Sequence, residues 1–75
     1  MYMQMQIELE EAVLRVLKSY NNQATLNETW EELRFDSLTT VEVVMDLEKE
    51  FSESFPDDVV ETWETGNDIV EFLKS

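Results

Sequence analysis

The 75 residues carry 18 acidic against 5 basic side chains, a formal charge of -13, which leaves room for one small domain over residues 1–75 with one modest core. The chain has no Cys and no His, which excludes disulfides, thiolate nucleophiles, Cys-based zinc sites and the usual general base; no catalytic residue and no metal-ligand set is expected. At 43% apolar, with 11% aromatic residues, it is too rich for a disordered acidic tail, and its charge repels nucleic acid and anionic lipid while favouring basic patches on partner proteins.

Met1 to Ile7 has no basic start, no long apolar run and no small-residue cleavage site, so no signal peptide is expected there. No stretch approaches the roughly 18 apolar residues of a membrane span, which makes a cytoplasmic location the default. Apolar residues recur at helical spacing in three segments. The first helix is predicted from about Gln4 to Ser19, with Leu9, Val13, Val16, Leu17 and Tyr20 on one stripe and Arg15 and Lys18 near its C-terminal end. Asn21-Asn22 breaks it. The segment from Asn21 to Phe35 lacks a sustained period and is predicted to be a long loop whose Leu26, Trp30 and Leu33 tuck inward through one short helical turn.

A second helix is predicted to open at Asp36-Ser37-Leu38, with Asp as N-cap, and to end near Phe51. Past Pro56, the pair Asp57-Asp58 suits the first turn of a short helix bearing Val59, Val60 and Trp63. Thr65-Gly-Asn-Asp68 has the form of a capping box, opening a last helix with Ile69, Val70, Phe72 and Leu73. The fold expected is all-α: a small four-helix bundle with three main helices, one short third helix and a long loop between the first two.

The second helix carries two apolar strips. At 100° per residue, Val43, Val44, Leu47 and Phe51 fall within about a third of a turn, the width of a core-facing stripe. Leu38, Val41 and Met45 lie roughly opposite, flanked by Glu42 and Glu48 with Asp46 further round, as an apolar anchor in a negative rim would. Acidity is concentrated here: Asp36 to Glu64 holds ten acids and one base, Lys49. Ser37 stands where the unpaired amides and the positive dipole end of the helix favour an attached or bound phosphate, although Ser is also an ordinary first-turn residue.

The run Phe35-Asp-Ser-Leu-Thr-Thr-Val-Glu-Val-Val-Met-Asp-Leu-Glu-Lys-Glu-Phe51, followed by Pro56-Asp57 and an acidic short helix, resembles acyl carrier proteins, and the similarity of organisation extends over essentially the whole chain. The resemblance implies that Ser37 receives 4′-phosphopantetheine and that Asp36 is the acid contacted by transferases and partner enzymes. It further implies Leu38, Val41 and Met45 as exposed docking positions, Glu42 and Glu48 as docking acids, Val43, Leu47 and Phe51 as core, and Trp63 and Leu73 as apolar residues around an acyl cavity. Four positions depart from the family pattern: Arg34 where Gly is frequent, Thr39 where many carriers have an acid, Lys49 where Glu is frequent, and Gly66 where a β-branched residue is usual.

The function so implied is a carrier without catalysis of its own. A phosphopantetheinyl transferase would load Ser37, and the thiol of the arm would hold acyl groups as thioesters for acyl-transferring, ketosynthase and related enzymes with basic docking patches. Fatty-acid or polyketide-type biosynthesis is expected, with an aminoacyl or peptidyl carrier of a nonribosomal pathway as the alternative. A monomer acting as a discrete subunit is expected, with a short cargo retreating into a core that four Met and flexible aliphatics allow to yield. A Ser hydrolase fails for want of a base. A calcium loop around Gly66 would put Trp63 and Thr65 at ligand positions and Phe72 where the obligatory Glu belongs. An acidic interaction module without a prosthetic group is the remaining reading from a different class.

Overall fold

The computed structural model describes residues 2–74, with side chains from Ile7 to Lys74. In chain order it has α1 (Tyr2–Tyr20), α2 (Ser37–Phe51), α3 (Asp57–Val60) and α4 (Gly66–Lys74). The expected all-α architecture is what forms. Among the described residues the only extended pairing is an isolated bridge between Thr29 and Thr65.

Helix α1 is the spine, with α4 and α2 packed against it. Its buried face is Ala12, Val13, Val16 and Leu17, with Leu9 half-buried. Tyr20, expected on the same stripe, is instead 37% exposed, because its ring lies edge-on to Phe35 and its hydroxyl reaches across to donate to Asp46 on α2. The helix ends as the Asn pair predicts. The Asn21 side-chain oxygen accepts the Gln23 N–H at 3.0 Å, and its amide donates to the Leu33 carbonyl at 3.2 Å, so one residue both stops α1 and pins the far end of the loop.

That loop is held at every step. Thr25 N–H donates to Glu28 Oε1 at 3.0 Å, and Thr29 N–H donates to Glu32 Oε1 at 2.9 Å while Glu32 N–H returns a bond to Thr29 Oγ1 at 3.1 Å. The second of these is a reciprocal capping box on a single helical turn, which ends where the Phe35 N–H meets the Trp30 carbonyl at 2.8 Å. The turn carries Leu33 into the core, and half-buried Trp30 stacks on Phe35 with ring centroids 6.1 Å apart. Trp30 also ties the loop to the approach to α4: its backbone N–H donates to the Glu64 carbonyl at 3.1 Å and its indole N–H to the Trp63 carbonyl at 2.8 Å.

Helix α4 opens as predicted. The Asp68 carboxylate accepts the N–H groups of Glu64 and Thr65, at 2.8 and 3.1 Å. Helix α3 is shorter than expected, stopping at Val60, so Trp63 lies beyond it in a following turn closed by Trp63 N–H to the Val60 carbonyl at 3.1 Å. From there Trp63 meets Phe55 and Phe72 in an edge-to-face triangle, with centroid separations of 5.4 and 5.6 Å.

Gly66 has a packing reason. A Cβ there would come within 2.9 Å of Leu17 Cδ1 and of Leu26 Cδ2, and within 3.3 Å of the Leu26 backbone. The long loop presses against the start of α4, and the Asn67 N–H donates to the Leu26 carbonyl at 3.0 Å. A β-branched residue would therefore have to push the loop away. Gly66→Val is expected to lower stability by about 1–3 kcal/mol, the usual cost of overpacking. A urea titration showing unchanged stability would mean that the loop yields freely.

Candidate functional site

The site is built at the start of α2. Asp36 is the N-cap: its carboxylate accepts the Thr39 N–H at 2.7 Å, while its carbonyl takes the Thr40 N–H and hydroxyl at 2.9 and 3.0 Å. The bonds from Thr39 hold the Asp36 carboxyl below the usual carboxylate range, so it is ionised at neutral pH. Ser37 follows as the first residue of the helix, exposed, and no hydrogen bond within the described residues occupies its hydroxyl. Ser19, by contrast, donates to the Val16 carbonyl at 2.6 Å.

One turn on, Leu38, Val41 and Met45 stand 68%, 53% and 52% exposed, while Val43 and Leu47 are buried and Val44 and Phe51 half-buried against the core. The two strips separate as their helical angles predict. Leu38 is the most exposed large apolar residue described.

The acids around the strip differ. Glu42 is exposed. Glu48 is half-buried, and its carboxylate accepts the Phe55 N–H at 2.8 Å, holding the connection between α2 and α3. Asp46 is turned toward α1 and taken up by Tyr20. That bond, followed by desolvation and the nearby charge of Asp46, pushes the Tyr20 phenol from its ordinary 10.0 up to about 12. A raised phenol pKa means that the contribution is full below pH 10 and is lost as pH climbs from 10 through 12. The gap in melting temperature between the wild type and Tyr20→Phe is expected to close over that window. A gap that stays constant from pH 9 to 12 would show that the bond contributes nothing.

An apolar groove of about 190 Å³ opens between α2 and α3, walled by Val41, Val44 and Met45 on one side and Phe55 and Val60 on the other, with Glu48 at its rim. Trp63 and Leu73, the apolar residues expected around a cavity, do not line it. Trp63 packs edge-on against Phe55, and Leu73 lines other hollows, one with Leu9 and Phe51 and one with Glu53 and Ser54. Val60, the last residue of α3, forms the wall instead. Met45 is on that wall too, which places the one methionine among the described side chains outside the core; Met1, Met3 and Met5 lie outside the described side chains.

Two features around α2 took a form that the sequence did not show. Arg34 sits at φ 63, the left-handed region that costs a non-glycine residue about 1–2 kcal/mol. Glycine would adopt that conformation without the cost. The double use of Glu48 has no local signal either, since its partner is a backbone amide seven residues away.

An exposed, unengaged serine at a capped helix start beside an apolar groove provides a place to attach a group and a place to shelter one. Residues 8–73 match the family described as "Phosphopantetheine attachment site". The chain belongs to the acyl carrier protein family. An acyl carrier protein of Exiguobacterium sibiricum is 32% identical over 73 residues, spanning 96% of this chain and 92% of its own length. Like other members, this carrier bears covalent 4′-phosphopantetheine, is not an enzyme, and works by interacting with biosynthetic enzymes. Membership removes the acidic module without a prosthetic group. Among the described residues no helix of the carrier is long and apolar enough to cross a membrane, and no cluster of acidic side chains is arranged to hold a metal ion.

Proposed function

We propose that Ser37 is the attachment residue, that residues 1–75 form one carrier domain, and that it shuttles acyl intermediates of fatty-acid or polyketide-type biosynthesis as a cytoplasmic monomer. What carries the assignment to Ser37 is its exposed hydroxyl, unoccupied by any bond within the described residues, on the first turn of a helix whose cap is supplied by Asp36. A phosphopantetheinyl transferase needs an oxygen it can reach without unfolding anything, and Ser37 offers one. Ser37 Oγ takes the phosphopantetheinyl group from coenzyme A, losing its proton to the transferase and releasing the adenosine bisphosphate. The attached group supplies a flexible arm ending in a thiol, on which acyl groups ride as thioesters. Tethering raises the effective concentration of the cargo at each successive active site.

The chain's own residues supply the rest. Leu38, Val41 and Met45 give partners an apolar anchor, and Glu42 with Glu48 and the ionised Asp36 steers their basic patches into register. The groove holds a short chain, its volume of about 190 Å³ falling below the roughly 300–1,000 Å³ of pockets that bury a drug-sized ligand. Five of its eight lining residues are apolar and the other three are Thr40, Glu48 and Asp57, so a saturated chain finds more contact there than an aminoacyl group would.

The direct test is incubation with coenzyme A and a broad-specificity transferase, followed by intact mass and peptide mapping. One added phosphopantetheine, mapped to the peptide containing Ser37, is the expected result; addition at Ser52 or Ser54 would overturn it. The docking acids have a second test. Glu48→Gln keeps an acceptor for the Phe55 N–H and is expected to melt like the wild type while loading several-fold more slowly at low salt. Glu48→Lys leaves that part-buried N–H unpaired and is expected to lose about 1–3 kcal/mol in addition. Glu42→Lys, on an exposed side chain, is expected to slow loading alone. Loading rates indifferent to all three would remove the acidic rim from docking.

A further inference from the structure

Arg34 is the base nearest in sequence to Ser37, in a chain where acids outnumber bases 18 to 5. Among the described residues, no carboxylate lies within 4 Å of its guanidinium, although Glu31, Glu32 and Asp36 are all within three positions of it. Two of those acids are committed elsewhere: Glu32 to the Thr29 N–H and Asp36 to the Thr39 N–H. The Arg34 backbone is held left-handed by its own N–H to the Glu31 carbonyl at 3.0 Å and by the closing bond of Phe35. Its exposed side chain lines an open hollow of about 520 Å³ together with Asn22, Tyr20 and Thr39, the last belonging to the first turn of α2. A long cationic side chain thus occupies a strained position that glycine would fill more easily, and it spends its charge on nothing in the chain.

We infer that the Arg34 guanidinium pairs with the phosphodiester of the prosthetic group, positioning the root of the arm on the α1 side of Ser37. The inference rests on Ser37 being the attachment residue. Attachment adds an anion next to the Asp36 carboxylate, in the most acidic part of the chain, and a cation close by offsets the repulsion. Three residues span at most about 11 Å, a separation that a long arginine side chain and a phosphate on Ser37 can bridge between them. The planar fork of arginine matches phosphate oxygens in a way that a lysine point charge does not. Arg34 is therefore a positioning residue: it sets where the arm starts, and it takes no part in holding cargo.

The experiment uses the carrier loaded from coenzyme A, as wild type, Arg34→Gln and Arg34→Lys, each checked by intact mass. On loading, the Arg34 Nε–Hε cross-peak of the wild type is expected to move. The phosphorus-31 resonance of the phosphodiester is expected to be displaced in loaded Arg34→Gln relative to loaded wild type, with Arg34→Lys between them. Arg34→Gln keeps a long side chain at the same strained backbone position, so the displacement reports the charge. Loading with an unmoved Hε peak and superimposable phosphorus resonances overturns the arginine contact alone. Absence of any mass gain at Ser37 overturns the attachment reading first.

Discussion

Ser37→Ala is expected to take up no phosphopantetheine while keeping the stability of the wild type. The two halves of that expectation come from the same observation. The Ser37 hydroxyl is exposed and makes no bond within the described residues, so its removal deletes only the nucleophilic oxygen. The helix keeps its cap, because Asp36 and not Ser37 receives the Thr39 N–H. Ala is a better helix former than Ser, and surface substitutions away from such features stay within about 0.5 kcal/mol. Asp36→Ala should do the reverse: it keeps the hydroxyl but loses the cap bond, so it lowers the melting temperature and slows loading without abolishing it. Intact mass after exhaustive incubation and thermal melts of the unloaded proteins separate the two. A mass gain in Ser37→Ala equal to that of the wild type would sink the assignment, whatever the other variants do.

Much of this was legible because α2 is strongly patterned. A helix with two apolar strips has to bury one, and the angular positions of Val43 and Leu47 against those of Leu38, Val41 and Met45 already say which residues end inside and which outside. The caps were legible for the same local reason: Asp36 and the Thr65–Asp68 pair satisfy amides three or four residues away. The loop was not. Its Thr29–Glu32 box has the sequence form of a helix start, but no periodic apolar run follows it, so pattern reading passes over it. What fastens the loop is contact with segments distant in sequence: Trp30 with Trp63 and Glu64, and Leu26 with Asn67. The groove depends on the same long-range geometry. Its far wall is Phe55 and Val60, and Val60 is the last residue of α3, a boundary that sequence periodicity over four residues does not define. The left-handed backbone at Arg34 likewise follows from the turn it closes and from no preference of arginine.

Trp63→Ala is expected to remove a large share of the stability of the chain. Trp63 is 6% exposed and packs edge-on against both Phe55 and Phe72, so it joins the segment after α2 to α4. Truncating a buried tryptophan to alanine costs about 3–5 kcal/mol in lost burial and residual cavity. At roughly 0.05–0.15 kcal/mol per residue, a chain of this length has on the order of 4–11 kcal/mol in total. One side chain thus accounts for a large share of the margin. The collapse would reach the groove, since Phe55 is one of its walls and rests on Trp63. Trp63→Phe, which keeps an aromatic edge for Phe55, is expected to lose distinctly less. Trp30→Phe supplies the comparison for the polar tie, removing the indole bond to the Trp63 carbonyl, worth about 0.5–1.5 kcal/mol net, together with the part of the half-buried ring that phenyl does not replace. Urea titrations followed by far-UV circular dichroism rank the three. A Trp63→Ala midpoint within experimental error of Trp30→Phe would show that the aromatic triangle is not what closes the bundle behind the groove.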